Sequence, residues 1–378
     1  MKINNKKILF ITLIIVIISL NLSSCFNYSE VNQVTFATGV IFDLDENNNV
    51  VIYTDCIKPH RNANQSSDSG KRILYKGVGE TALEAIRDIS IASSYKINFT
   101  QNRAIIFTEY AAKQGLNRFI DLINNDQEFQ MKPYMFVYNG DIKELLESAV
   151  NEEEYLGLFL DELVQKNKAN SKVILLNTND YLVKSQMCSG YTVMGILALR
   201  EDVVDKRVEL SGGAVIKNYK MVDQLNMNDG MSYNFLMNKM KTGTLEVPNP
   251  QDKKKLSTLE ILGSKTDTSI DYNKKSGIIR VTKNVNVKTT IAESQGKLII
   301  SNNAVNLIKK EAENNLKDDL LEFANRYLSK GEDILQVTRA LERKYIKVRE
   351  EDLLSNIDVV INVNIDIKGV GQVKNSLE

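Results

Sequence analysis

The chain has 378 residues, 43% hydrophobic and 25% charged, with 48 basic and 48 acidic side chains and no tryptophan. This composition predicts an ordinary folded body of two or three domains and excludes a disordered chain. Balanced charge also gives no reason to expect a nucleic-acid partner, which needs clustered positive charge.

At the N-terminus, Lys2, Lys6 and Lys7 precede an uncharged apolar run from Ile8 to Leu20, and Leu22-Ser23-Ser24-Cys25 follows. A basic start, a short apolar stretch and small residues before a cut predict a secretory signal peptide over residues 1–24. The run is short for a membrane span, which needs about 20 apolar residues. An uncleaved helical anchor is the other reading. Leu-Ser-Ser-Cys also resembles the bacterial lipobox, in which the cysteine is acylated on sulfur and becomes the new N-terminus. Cys25 is therefore the expected lipidation site, and the body is expected to work outside the cytoplasm on a membrane surface. Removing 1–24 leaves 45 basic and 48 acidic groups. That is too even for a polybasic patch, so two acyl chains must do the anchoring. Cys56 and Cys188 then remain, either as buried thiols on strands or as a pair.

Along the chain, Thr35 to Leu44 and Val50 to Ile57 read as strands, joined by an Asn-rich turn into a hairpin. Lys58 to Lys71 is polar and aperiodic, an exposed loop. Ile73 to Val78 is a short strand. A helix is predicted from Glu80 to Ala92, with Leu83, Ile86, Ile89 and Ile91 on its apolar face. Strand Arg103 to Thr108 leads into a helix from Tyr110 to Asn124 burying Leu116, Phe119, Ile120 and Ile123. Strand Lys132 to Tyr138 and helices Ile142 to Leu146 and Tyr155 to Gln165 follow. Alternating strands and helices predict a mixed sheet with packed helices over 25–190.

Tyr191 to Leu199 and Val208 to Lys217 read as strands, and Met231 to Met240 as a helix. Thr242 to Lys255, with two prolines and three consecutive lysines, reads as a linker closing a middle domain over 191–255. Leu256 to Tyr272 and Gly277 to Ile291 form a hairpin, with Ile279, Val281, Val285, Val287 and Ile291 on its buried side. A long helix from Ala304 to Leu328 carries an apolar stripe of Leu307, Ile308, Ala312, Leu316, Leu320, Phe323 and Tyr327. Gly331 ends it. A helix from Glu332 to Tyr345 and a strand from Ile357 to Ile367 complete a C-terminal α+β domain over 256–378. The fold class is thus α+β: three mixed α/β domains in one elongated, lipid-anchored chain.

The inventory for catalysis is thin. His60, the only imidazole, lies in the polar loop and reads as solvated. No G-x-S-x-G turn or C-x-x-C pair occurs, and one histidine cannot build a histidine-based zinc site. Asp43 to Asn48 resembles the start of a calcium loop, but Asn48 and Thr54 stand where glycine and glutamate are required. Ser69-Gly70-Lys71 lacks P-loop spacing. Gly212-Gly213 inside a strand reads as a bulge. Asp318-Asp319 and Glu350-Glu351-Asp352 read as solvated faces. No catalytic, cofactor-binding or metal-binding residue is assigned, and no cofactor is expected.

Read in order, these pieces resemble the GerC family, the C-subunit lipoproteins of bacterial spore germinant receptors. The lipobox cysteine is followed by Glu30-Val31 and a strand ending Thr38-Gly39-Val40-Ile41-Phe42-Asp43. Gly79 to Arg87 is similar to the family's glycine-led helix, and Arg103 to Glu109 with Gly115-Leu116 to the strand and helix after it. Leu210-Ser211-Gly212-Gly213-Ala214-Val215-Ile216-Lys217 resembles a further family stretch, and the order of the C-terminal elements agrees. Phe26-Asn27 replaces the usual Trp-Asp. After Asp333, Leu335 and Gln336 stand where a glycine and an aromatic residue are usual.

The resemblance implies a non-enzymatic subunit on the outer face of the spore's inner membrane, serving assembly or signal relay. Its expected partners are the receptor's A and B subunits and the membrane through Cys25, with no small-molecule ligand. The competing expectation is a lipid-anchored solute-binding protein of an importer.

Overall fold

The computed structural model describes residues 33–57, 72–150, 155–186, 189–273, 275–345 and 357–369. The leader, Cys25 and the expected loop 58–71 lie outside these residues.

Nine strands form the first sheet: β1 (Val34–Leu44), β2 (Val50–Ile57), β3 (Arg72–Gly79), β4 (Lys96–Asn98), β5 (Ala104–Thr108), β6 (Tyr134–Tyr138), β7 (Tyr191–Glu201), β8 (Lys206–Lys217) and β9 (Lys220–Leu225). Their order is β3-β2-β1-β5-β6-β7-β8-β9, with β4 also pairing to β1. The central strands β1, β5, β6 and β7 are parallel, whereas β2, β3, β8 and β9 add antiparallel flanks. All five residues of β5 are buried. Such apolar runs suit parallel strands covered on both faces.

Alternation decides which helix meets which side chain. On one face Phe42 of β1 stacks on Phe107 of β5, and both meet Phe119 of α3 (Asn117–Asn125); α1 (Ala82–Ala92), α2 (Glu109–Gln114) and, further along the chain, α6 (Thr178–Ser185) cover the same face. Ile41, Ile106 and Phe136 point the other way, into α4 (Ile142–Val150) and α5 (Leu156–Asn167).

Two helices on the first of these faces depart from expectation. The helix expected over 110–124 is broken at Gly115, whose φ of 139° is open to glycine but not to other residues, giving α2 and α3. Its four expected core residues are nonetheless buried. On α1 the buried residues are Ala82, Ala85 and Ile89, while Leu83 is 46% and Ile91 87% exposed. The small face wins because the helix lies against the β3 backbone: a Cβ on Gly77 would stand 2.1 Å from the Ala85 carbonyl oxygen.

The second sheet has the order β10-β11-β12-β13, from β10 (Gly243–Asn249), β11 (Asp252–Tyr272), β12 (Ile279–Ser294) and β13 (Ile357–Ile367). The linker expected over 242–255 is therefore ordered strand. Pro248 is tolerated because β10 is an edge strand. α7 (Met227–Leu236) starts earlier than expected, at a capping box in which the Asn226 side chain accepts from Asp229 N and Asp229 Oδ2 from Asn226 N. α8 (Asn302–Leu328) buries the expected stripe except Leu307, and α9 (Val337–Lys344) is shorter than expected.

Residues 191–255 form no sheet of their own. β7, β8 and β9 extend the first sheet across residue 190, and β10 pairs with β11 across residue 255. One apolar cluster runs from Tyr191, Val193 and Val215 through Phe235 and Leu236 of α7 to β12 and α8. The two sheets thus share a core.

Candidate functional site

β1, β5 and β6 end side by side at Leu44, Thr108 and Tyr138. Beyond these ends lies a cleft of about 1080 Å³, the usual place for a ligand crevice in parallel sheets. Asp43, Thr108 and Tyr138 stand at the strand ends; Tyr53, Arg72, Leu74 and Lys76 come from β2 and β3, and Asp141, Ile142 and Leu146 from the start of α4.

Most of the polar groups here are already engaged by the fold. The Thr108 hydroxyl donates to Asp43 Oδ1 and accepts from Ala111 N, capping α2. Asp141 Oδ1 accepts from Lys143 N and Glu144 N at 2.7 and 3.2 Å, capping α4. Tyr138 donates its hydroxyl proton to the Asp141 carbonyl at 3.0 Å, and burial pushes its pKa up to about 12.

Arg72 is the fixed point of the wall. Its Nε and Nη2 donate to Asp55 Oδ1 and Oδ2 at 2.9 and 3.0 Å, and Nη1 donates to the Leu146 carbonyl at 2.8 Å. Asp55 Oδ2 also accepts from Leu156 N, the first residue of α5. Burial raises the Asp55 pKa, opposed by Arg72 and then by the Leu156 amide. One ion pair therefore ties β2 and β3 to both α4 and α5. This arrangement can shape and hold a surface.

The positions singled out in the sequence fall as follows. Cys25, His60 and Cys188 lie outside the described residues. Cys56 is a buried free thiol whose pKa burial raises to about 12. Asp45 Oδ1 accepts from Asn47 N and Asn49 N, both at 2.8 Å, so its carboxylate builds the hairpin turn. Gly212 has φ 69° at a break in the β7–β8 register, a bulge, and a Cβ there would lie 2.0 Å from the Leu225 carbonyl oxygen. Asp319 lines a smaller hollow of about 440 Å³ between α7, β10 and α8, beside the Asp229–Arg326 ion pair. Among the described residues no group of three or more His, Cys, Asp or Glu is placed to hold a metal ion.

Sequence reasoning missed the buried polar groups. Asp55 and Lys283 sit at inward positions of β2 and β12. Lys283 Nζ donates to the Leu236 carbonyl at 2.9 Å, and burial lowers its pKa to about 8. Asp333, also buried, accepts from Val337 N and Thr338 N at the start of α9 and exerts a weaker opposing pull on Lys283. A charged residue at an inward position of an alternating strand was the available signal.

Comparison with known proteins gives two family profiles in tandem. The spore germination protein N-terminal domain matches residues 27–197, and the spore germination B3/GerAC-like C-terminal domain matches residues 211–371. The chain belongs to the GerC family. A GerC-family relative, the spore germination protein GerQC of Bacillus cereus, is 22% identical over 286 residues, covering 75% of this chain and 78% of its own. The crystal structure of the GerBC protein superposes with a TM-score of 0.55 at 17% identity, covering 90% of this chain and all of that one. The mixed α/β fold is therefore shared with GerBC. In this chain the glycine-led family helix is the β3–α1 junction: a Cβ on Gly79 would meet Ala85 N at 2.6 Å. The family stretch over 210–217 is β8 with its Gly212 bulge.

Proposed function

We propose that this protein is a non-enzymatic, lipid-anchored subunit of a spore germinant receptor, serving receptor assembly or signal relay beside the A and B subunits. The observation that carries this reading is the tandem match of two spore germination profiles across 27–197 and 211–371. Engagement of the polar groups along the cleft in caps and ion pairs supports a role through surfaces rather than turnover. The anchor is Cys25 of the Leu22–Cys25 lipobox, on the outer face of the spore's inner membrane. Only eight residues, 26–33, separate Cys25 from the start of β1 at Val34. Even fully extended, such a tether reaches about 30 Å, which keeps the folded body at the bilayer surface. Confinement to the membrane raises the effective concentration for membrane partners.

Germination of spores lacking the chain, complemented with wild type or Cys25→Ala, tests both parts. The expected result is loss of a germinant response, restored by wild type and poorly by Cys25→Ala, with the variant leaving the membrane fraction. A normal response in every germinant tried, in spores also lacking the other receptors of this type, would overturn the reading. Unchanged membrane fractionation of Cys25→Ala would overturn the anchor alone.

A further inference from the structure

β3 is an edge strand of the first sheet, and only part of its outer side is occupied. Val78 N donates to Asp88 Oδ2 of α1 at 2.9 Å, away from β2. The β2–β3 register runs without a break, setting Val78 opposite Val51, Lys76 opposite Tyr53 and Leu74 opposite Asp55. Peptide groups alternate in direction along an antiparallel ladder, so the amides and carbonyls of Leu74 and Lys76 point outward as Val78 does. Among the described residues no hydrogen bond reaches them from that side.

Apolar side chains stand on both faces of this edge. Leu74, 47% exposed, lines the cleft, and Val78 shares its face. On the other face Asp88 of α1 reaches over the edge, and exposed Ile91, three residues on, lies on the same side of that helix. The cleft beside Leu74 suits a cation. Tyr53, Tyr75, Tyr110 and Tyr138 line it, and Lys76 Nζ already lies 5.6 Å from the centroid of the Tyr53 ring. The Arg72 charge is met by Asp55, Glu147 lies 3.8 Å from Lys143, and Glu109 lies 2.7 Å from Lys113. Asp43 and Asp141 are left against Lys76, and the Oδ2 atom of each meets no donor among the described residues.

We propose that the β3 edge and the adjoining cleft are a docking site for an extended segment of a partner protein. The segment adds to the first sheet as a strand, sets lysine or arginine side chains into the cleft and turns apolar ones toward Ile91. Backbone pairing at Leu74 and Lys76 supplies affinity, and the alternating side chains supply specificity. That the segment belongs to a receptor partner rests on the proposed subunit role; the surface itself rests on the sheet edge and the cleft.

The probe is a short fluorescein-labelled peptide of alternating valine and arginine, with a valine–glutamate counterpart. Each is titrated into the full chain in non-ionic micelles at pH 7 and physiological ionic strength. The expected result is saturable binding of the arginine peptide, about tenfold tighter than the glutamate peptide or better. At saturation, hydrogen exchange at the Leu74 and Lys76 amides should slow by about tenfold or more, a mark that charge attraction without strand pairing does not leave. Leu74→Lys, a change at an exposed side chain, should keep the wild-type Tm and weaken the arginine peptide about tenfold, because a charge there guards the edge. Asp43→Asn with Asp141→Asn keeps the oxygens that accept from Thr108 and from the α4 amides, and should abolish the preference for arginine. No saturable binding, equal affinity for both peptides, unchanged exchange at Leu74 and Lys76, or binding unaltered in both variants overturns the proposal. Each of these outcomes leaves the spore complementation result, and the subunit role it tests, untouched.

Discussion

Asp55 and Arg72 hold the wall of the cleft to two helices, and a mutant cycle tests that account. Their side chains are 1% and 12% exposed, so neither charge has water to fall back on. Asp55→Ala strands a buried guanidinium on the Leu146 carbonyl and leaves the Leu156 amide unpaired. Breaking a buried pair in this way costs about 3–5 kcal/mol. Arg72→Met differs in kind, because its orphaned carboxylate can escape by taking a proton. The Asp55 pKa is already raised by burial, and losing Arg72 removes the largest opposing influence. A folded-state pKa above the unfolded value supports stability at low pH, and that support is lost as pH rises through it. The Arg72→Met defect should therefore shrink on acidification, while the Asp55→Ala defect should not. Combining Asp55→Leu with Arg72→Met removes both charges and should leave only about 1–2 kcal/mol, the unpaired Leu156 amide. Urea unfolding midpoints at pH 7 and pH 5 read all three variants. A wild-type midpoint for Asp55→Ala would refute the reasoning, as it would mean the guanidinium is solvated.

Gly157→Ala should cost more than about 3 kcal/mol or abolish soluble expression, because its Cβ would lie 1.8 Å from the Thr38 carbonyl oxygen, backbone against backbone. Gly263→Ala, with nothing within 4 Å of its Cβ, should melt within a degree or so of wild type. Gln336 holds φ 56° and ψ 39°, so Gln336→Gly should raise stability by about 1 kcal/mol in urea melts. Lys283 is 4% exposed, with its pKa lowered to about 8. Because the unfolded lysine keeps its proton to higher pH, stability should climb between pH 8 and 10.5. The climb should be on the order of 3 kcal/mol relative to Lys283→Met, and parallel pH profiles would contradict it.

Elements with a clean period were legible in the sequence. β12 and β13 alternate apolar with polar residues, and β1 and β2 are β-rich runs closed by an Asn-rich turn. Where tertiary contact overrides local pattern, the reading drifted. α1 turns its alanines inward because two glycines of β3 bring the backbones together, and no helical wheel contains that information. β10 was hidden by Pro248, a residue that only an edge strand accepts. β9 and α6 were missed, although Asn177 caps α6 by accepting from Asp180 N. Of the cleft, the individual strand ends were visible but not their assembly. That depends on pairings such as Gly39 with Ala104 and Ala104 with Tyr134, which sequence spacing does not set.

Those pairings also set the order in which the chain can fold. β1 through β3, β7 through β9 and β10 through β12 are antiparallel neighbours closed by short or moderate loops, cheap in chain entropy. The parallel pairings are remote: β1 waits for β5, and β12 for β13, where Ile279 meets Ile357. Non-local parallel pairing is slow, so joining these preformed blocks limits the rate. Until β13 docks, the β12 edge that receives its eleven residues stands bare. In that interval the unfilled place beside β12 can recruit a strand from another molecule, and self-association during refolding should begin there.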